Sequence, residues 1–370
     1  MLDSAVGSGK NILILATNNA NKILEIREIL GDRFGELRSL KESGIDHETV
    51  EDGETFLQNA EKKAREIAEL SGCPALADDS GLCVDALGGA PGVYSARYGG
   101  VHGDDRANNE KLLRELEGSE NRRAHYACAM ALVWPDGRMI SAEGVFCGEI
   151  ARSPAGNGGF GYDPLFYVPE FNATLACVPP EQKNHVSHRN LALRCLAEKL
   201  DALKNQPPIV LGGFMGVGKS AVGRVLAEKL GYDFIDTDDY VEKLAGESIR
   251  AMLEQGRVAE VRRFEARAVR QLAVLPRTVI STGGGTPCHS DNMQWILDHG
   301  TAVYLDVSLD TILQRAAASH KQRPVLAGLD ATQRRDFITA QLAERLPYYR
   351  QAHILFPADD PDIDALAGKL

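Results

Sequence analysis

The sequence predicts an α/β protein of two domains joined end to end, and three observations carry that prediction. Gly213–Phe214–Met215–Gly216–Val217–Gly218–Lys219–Ser220 is a complete phosphate-binding loop, with an apolar strand before it and a helix after it. A full domain's length of the 370-residue chain precedes it, with a glycine-framed acidic segment of its own, Asp78–Asp79–Ser80–Gly81. Between the two, Pro207–Pro208 stops a helix and hands over to the strand Ile209–Val210–Leu211. The boundary is therefore expected near residue 206, giving a polar, flexible extension at 1–10 and domains at 11–206 and 207–370.

Composition narrows the class. With 44% hydrophobic residues the chain is able to bury two cores. A formal net charge of −11 provides no general field for polyanions, so neither nucleic acid nor a membrane surface is an expected partner. Seven scattered cysteines without a CxxC pair point to a reducing compartment rather than to disulfides or a zinc site. No apolar run approaches a membrane helix and no signal-peptide core is visible, which predicts a soluble, cytoplasmic protein.

Along the first domain, Asn11–Ala16 reads as a buried strand, and Ile23, Leu24, Ile26, Ile29 and Leu30 mark the apolar face of the helix behind it. Phe56–Leu70 is a second amphipathic helix, and Pro74–Ala77 a short strand that ends in a turn at Asp78–Asp79. Tyr126–Trp134 and Ile140–Ile150 form a strand pair about Pro135–Asp136–Gly137, and a long helix runs from Ser187 to about Asn205. Gly7–Ser8–Gly9–Lys10 is half of a phosphate loop with no strand before it and reads as an inert tail. In the second domain, the strands Phe234–Ile235, Val279–Ile280 and Ala302–Leu305 alternate with helices, as in a parallel sheet.

The chemistry of the second domain starts from its loop. Glycines let backbone N–H groups converge on phosphate oxygens, Lys219 reaches the β/γ-phosphates and Ser220 ligates Mg2+. Gly216, Val217, Gly218 and Ala221 complete the nucleotide-binding set. Carboxylates at Asp236, Asp238 and Asp239 follow a strand, which is either a ligand site or a solvated helix start. Arg262, Arg323 and Arg345 are surface charges by default and together fit a grip on a carboxylate. At this point residues 208–370 resemble the shikimate kinase family, through GFMGVGKS, FIDTDDYVE, Arg262–Arg263–Phe264–Glu265, STGGG, Arg323–Pro324–Val325–Leu326 and Arg345–Leu346–Pro347–Tyr348–Tyr349. The resemblance implies that Asp236 supports the Mg2+ shell and that Asp238 orients or deprotonates the attacking hydroxyl. It further implies that Arg262 and Arg345 clamp shikimate, that Gly284 packs on its ring, and that Arg323 closes over the ATP phosphates from a lid near 317–328. Ala221, Val261 and Gly256–Arg257 depart from the family pattern and read as tuning.

In the first domain Glu51, Asp78 and Asp79 with Lys22 and Lys63 suit a Mg2+-assisted attack on a phosphoanhydride. Taken alone, Asp78–Gly81 is also an ordinary Asx-rich turn. Its surroundings favour a site: Thr17–Lys22 links strand to helix, and Gly158–Pro164 presents Phe160 from a glycine-rich loop for stacking on a base. Lys183, His188 and Arg189 form a donor-rich cluster, in which His188 is alternatively a cap or core residue. Residues 11–204 resemble the inosine triphosphate pyrophosphatase family, also called XTP/dITP diphosphatases. That resemblance implies a mixed-sheet α/β fold and hydrolysis of ITP, dITP and XTP to monophosphate and pyrophosphate. By the same resemblance Glu51, Asp78 and Asp79 organise Mg2+, with Asp79 as base, and Thr17, Asn19, Lys22, Lys63 and Ser80 hold the phosphates. Phe160, Gly161, Tyr162, Asp163, Lys183, His188 and Arg189 would form the base pocket, and the family is usually homodimeric through this domain. Two rival readings remain at this stage: one half is a scaffold without chemistry, or the kinase acts on gluconate or a nucleoside monophosphate.

Overall fold

The structure is a computed structural model and describes residues 12–318 and 328–370. The extension at 1–10 and Arg323, with most of the expected lid, lie outside the described residues. The chain forms two compact units, one ending at Leu200 and the other running Asp201–Leu370.

The first unit is ordered β1 (Ile12–Leu15), α1 (Ala20–Leu30), β2 (Glu36–Ser39), α2 (Phe56–Ser71), β3 (Ala75–Val84), α3 (Asp105–Glu115), β4 (Arg123–Val133), β5 (Met139–Ile150), β6 (Phe166–Val168), β7 (Ala173–Thr174), α4 (Pro180–Val186) and α5 (His188–Asn205). Its strands form one mixed sheet in the order β2-β1-β3-β4-β5-β6-β7, parallel from β2 through β3 and antiparallel beyond. Asn19 starts α1 by accepting the N–H groups of Asn21 and Lys22, and a Thr55–Gln58 capping box starts α2. Ile26 and Leu30 are buried as their spacing predicts, whereas Leu24 is 63% exposed.

One expectation is corrected here. Asp78–Asp79–Ser80–Gly81 is not a turn at a strand end but the middle of β3, paired residue by residue with Met130, Ala129, Cys128 and Ala127 of β4. Long-range pairing overrides the turn preference of these residue types. On its other edge β3 loses its neighbour, because β1 stops at Leu15 opposite Leu76. The acidic pair thus lies at a step inside the sheet. Since successive strand residues point to opposite faces, Asp78 and Asp79 serve the two sides of that step.

The second unit contains β8 (Ile209–Gly212), α6 (Lys219–Leu230), β9 (Asp233–Asp236), α7 (Thr237–Ala245), α8 (Ile249–Glu254), α9 (Val258–Leu272), β10 (Thr278–Ser281), α10 (Asn292–His299), β11 (Thr301–Asp306), α11 (Leu309–Ala318), α12 (Ala331–Tyr349), β12 (Ile354–Pro357) and α13 (Ile363–Ala367). Its five strands are all parallel, in the order β12-β11-β8-β10-β9. Both faces are covered: Leu211, Val279 and Val303 join one apolar cluster, and Val210, Ile280 and Ala302 join another. That explains why these strands read as unbroken apolar runs. No helix among the described residues is long and apolar enough to cross a membrane.

Candidate active sites

In the first domain, α1 and α5 deliver cations to the buried Asp78. Lys22 Nζ donates to its two carboxylate oxygens at 3.1 and 2.9 Å, and Arg189 Nε lies 3.3 Å from Oδ2. Burial by itself would raise this carboxyl; Lys22 and Arg189 outweigh it and hold Asp78 well below the usual carboxylate range. Asp79, on the opposite face, accepts Asn59 Nδ2 at 2.8 Å and the Ser80 N–H at 2.9 Å. Burial keeps the Asp79 carboxyl above its ordinary value, with the Glu51 charge adding to the effect and Asn59 and Lys63 opposing it. Lys63 Nζ donates to Glu51 at 2.6 Å. Burial disfavours its charge, but Glu51, Asp78 and Asp79 overcome that and raise its pKa. Four charged groups from three elements and a loop therefore surround the step in the sheet.

A cavity of about 210 Å³ opens beside this cluster, bordered by Ser80, Tyr126, Phe160, Asp163, His188 and Arg189. The His188 ring stacks on Tyr126 with centroids 5.0 Å apart and planes at 13°. Burial and the Arg189 charge push His188 down to about 3, so it is neutral at pH 7 and offers one N–H and one lone pair. The Asp163 carboxylate accepts the Phe160 N–H at 2.8 Å and pairs with Lys183, whose Nζ is 4.7 Å from the Phe160 ring centre. Helix α3 fixes the same loop from the other side. Asp105 accepts the Gly161 N–H at 2.7 Å, and Asn109 donates to the Gly161 carbonyl at 2.8 Å. Phe160 itself is 65% exposed, with the Lys183 ammonium over one face of its ring. Tyr162 turns the other way, buried with its hydroxyl donating to Ser95 O at 2.8 Å, and supports the loop from beneath.

In the second domain the site gathers at the C-terminal ends of adjacent strands. Gly218 caps α6 with φ +97°, a conformation open to glycine, and Arg315 donates to Val217 O at 2.8 Å to pin the loop. Lys219 is buried and donates to the Gly213 and Phe214 carbonyls, both at 2.9 Å. Asp236 ends β9 in register with Ser281 of β10, and Ser220 Oγ lies 2.6 Å from Asp236 and 3.3 Å from Ser281 Oγ. Asp238 is pushed up to about 6 by burial first, then by the charges of Asp236 and Glu265. A Cβ on Gly283 would stand 2.7 Å from its Oδ1, so only glycine allows this approach. Glu265, buried on α9, holds Arg262 at 2.6 Å and accepts Thr286 Oγ1 at 2.9 Å. Arg345 lies over the Phe214 ring at 5.6 Å, and its charge and that of Arg262 both act on the Cys288 thiol. Gly284 borders the phosphate loop, a Cβ there standing 3.1 Å from Met215 N, and its carbonyl accepts the Tyr349 hydroxyl.

The Ham1 family description matches residues 13–199, and the Shikimate kinase description matches residues 215–369. The chain belongs to the Ham1 family and carries a shikimate kinase-family domain behind it. A dITP/XTP pyrophosphatase of Clostridium perfringens is 48% identical over 198 aligned residues, covering 51% of this chain and 97% of that protein. The Ham1 protein of Staphylococcus aureus, a solved structure, is 40% identical, with a TM-score of 0.49, over 51% of this chain and 98% of its own. The shikimate kinase of Bacteroides thetaiotaomicron, also solved, is 35% identical, with a TM-score of 0.42, over 44% of this chain and 94% of its own.

In the Ham1 domain the structure brings Lys22, Asp78 and Arg189 into direct contact and sets Glu51, Lys63 and Asp79 beside them. Thr17 and Asn19 stay in the β1–α1 turn, where the Asn19 N–H meets Thr17 Oγ1 at 3.1 Å. In the kinase domain Lys219, Ser220, Asp236, Asp238, Arg262, Gly284 and Arg345 share one end of the sheet, whereas Ala221 points outward. Sequence reasoning missed Asn59, Tyr126, Asp105, Asn109, Glu265 and Thr286. Asn59 carried a signal: it is a polar residue on the apolar stripe of α2, one turn before Lys63.

Proposed function

We propose that this chain is a bifunctional enzyme, hydrolysing non-standard purine nucleoside triphosphates in its Ham1 domain and phosphorylating shikimate in its kinase domain. The observation that carries the reading is that each domain sets a phosphate-directed cation cluster beside a separate recognition surface suited to a different substrate.

In the Ham1 domain the cavity takes the base, with Phe160 as stacking face and Lys183, His188 and Arg189 as hydrogen-bonding groups. Such donors pair with the 6-keto oxygen of ITP, dITP or XTP, whereas the 6-amino group of adenine would leave them unpaired. Lys22 and Lys63 steady the phosphates. Asp79 takes a proton from water as the water oxygen bonds to the α-phosphorus, and pyrophosphate leaves as the α–β bridge breaks.

In the kinase domain Arg262 and Arg345 take the acceptor's carboxylate. Asp238 accepts the hydroxyl proton while that oxygen bonds to the γ-phosphorus and ADP leaves. Lys219 must first exchange its loop carbonyls for phosphate oxygens. Arg323 is assigned to the closing lid on the family resemblance alone.

Among the described residues no three His, Cys, Asp or Glu side chains form a ready metal cluster. Mg2+ takes one or two carboxylates and fills its shell with water and phosphate oxygens. Ser220 and Asp236, 2.6 Å apart, fit it in the kinase domain. Glu51 and Asp79 fit it in the Ham1 domain, while Asp78, saturated by Lys22 and Arg189, organises the cations beside them. When bound, Mg2+ would offset the charge of the phosphates. A cytoplasmic location and a homodimer formed through the Ham1 domain belong to the same proposal.

The test is to give the intact chain Mg-ATP with shikimate, and separately Mg-ITP. ADP formation that depends on shikimate, with pyrophosphate released from ITP far faster than from ATP, supports the reading. Shikimate-independent ADP formation, or equal hydrolysis of ATP and ITP, contradicts the respective half.

A further inference from the structure

The acceptor seat of the kinase domain holds one group that neither composition nor resemblance singled out. The short turn Thr286–Cys288 packs against both α9, which carries Arg262, and α12, which carries Arg345. His289 follows directly. A Cβ placed on Gly285 would stand 3.2 and 3.5 Å from the terminal guanidinium nitrogens of Arg262 and 3.5 Å from His289 Nε2. The guanidinium and the imidazole therefore border one space, above a residue with no side chain to fill it. Arg262 Nε is buried and has no hydrogen-bond partner among the described residues. The His289 ring, half-buried, makes no hydrogen bond among them either. Nη1 of Arg262 is spent on Glu265 at 2.6 Å, so Nη2 and the His289 ring nitrogen are the groups that border this space, and donors gathered about one small space suit an anion.

We propose that His289 is a third donor to the acceptor's carboxylate, beside Arg262 and Arg345. This rests on the reading of the kinase domain given above and extends it. The charged groups facing the imidazole are Arg262 and Glu265 from α9 and Arg345 and Glu344 from α12. Burial and the two arginines keep it below its ordinary pKa, with the two glutamates opposing. In the free enzyme at pH 7–8 the ring is neutral. A bound carboxylate reverses the local field and favours the imidazolium, so binding takes up a proton. Affinity for the acceptor should then strengthen as pH falls from 8 to 6, a range in which the acceptor's own carboxylate stays ionised. Two arginines give a permanent grip, and His289 adds a component that depends on pH.

The experiment measures KM for shikimate and for ATP in the full chain across pH 6–8, for wild type, His289→Ala, His289→Gln and Arg262→Ala. His289→Ala should raise KM for shikimate about tenfold at pH 6 while KM for ATP and kcat change by less than about threefold. His289→Gln, which keeps an N–H, should recover much of the affinity but lose the pH slope seen in wild type. An NMR titration should show the His289 pKa rising when shikimate is added. If Arg262→Ala raises KM for shikimate while both His289 variants keep the wild-type KM and slope, His289 is no part of the seat and the kinase reading stands. Absence of shikimate turnover in wild type, together with an unmoved His289 resonance, overturns both.

Discussion

The two sites handle charge in opposite ways. In the Ham1 domain cations and carboxylates are matched across long stretches of chain: Lys22 meets Asp78 56 positions away, and Arg189 reaches it from 111 positions away. The cluster lies at a step inside the sheet. In the kinase domain the phosphate lysine bends back onto carbonyls five and six residues before it, and the site sits at strand ends. The first site is held by tertiary ion pairs whose loss is felt by the fold. The second has its phosphate loop set by local backbone geometry, with side-chain contacts such as Ser220–Asp236 and Glu265–Thr286 around it. Preorganisation has been placed in side chains in one domain and in the main chain in the other.

Four substitutions, two of them compared directly, sharpen or break that contrast. The largest expected effect is on the acceptor grip. Arg262→Ala removes a charge-assisted pair and should raise KM for shikimate by about a hundredfold, with KM for ATP nearly unchanged. A parallel rise in KM for ATP would mean that the arginine supports the whole site instead. Next is Asp78→Asn, which leaves the largely buried Lys22 without its counter-charge and the buried Arg189 with Glu25 alone, 3.5 Å away. It should cost the Ham1 domain about 3 kcal/mol in chemical denaturation, whereas Asp236→Asn, at an open strand end, should cost under about 1 kcal/mol. Because the Asp78 carboxyl is held below its unfolded value, this contribution is present above about pH 4 and fades as pH falls further. Equal losses from the two substitutions would erase the distinction between the domains. The smallest is Phe160→Ala: stacking on an exposed ring should be worth about tenfold in KM for ITP, with the unfolding midpoint unmoved.

Legibility followed the same division. The phosphate loop could be read because eight consecutive residues build it, and strand periodicity set the parallel sheet around it. The acidic pair of the Ham1 domain was noticed, yet its setting was misread, since Asp-Asp-Ser-Gly favours a turn when nothing is known of β4. Its true partners are supplied by pairing from Met130 to Ala127 and by the early end of β1, neither of which is local. Thr286 escaped for the same reason, since its contact with Glu265 spans 21 positions, and that contact is half of what Glu265 does beside its pair with Arg262. Leu24 shows the opposite error: its helical spacing was right, but the apolar stripe is narrower than its sequence pattern.

The central claim is that one chain holds two active sites that work separately, and crossed knock-outs measure it most directly. Shikimate-dependent ADP formation and pyrophosphate release from ITP should be assayed on the same preparations of wild type, Lys219→Ala and Asp79→Ala. The account predicts that Lys219→Ala abolishes the first activity and leaves the second at its wild-type rate, and that Asp79→Ala does the reverse. Loss of both activities from either single substitution would contradict it.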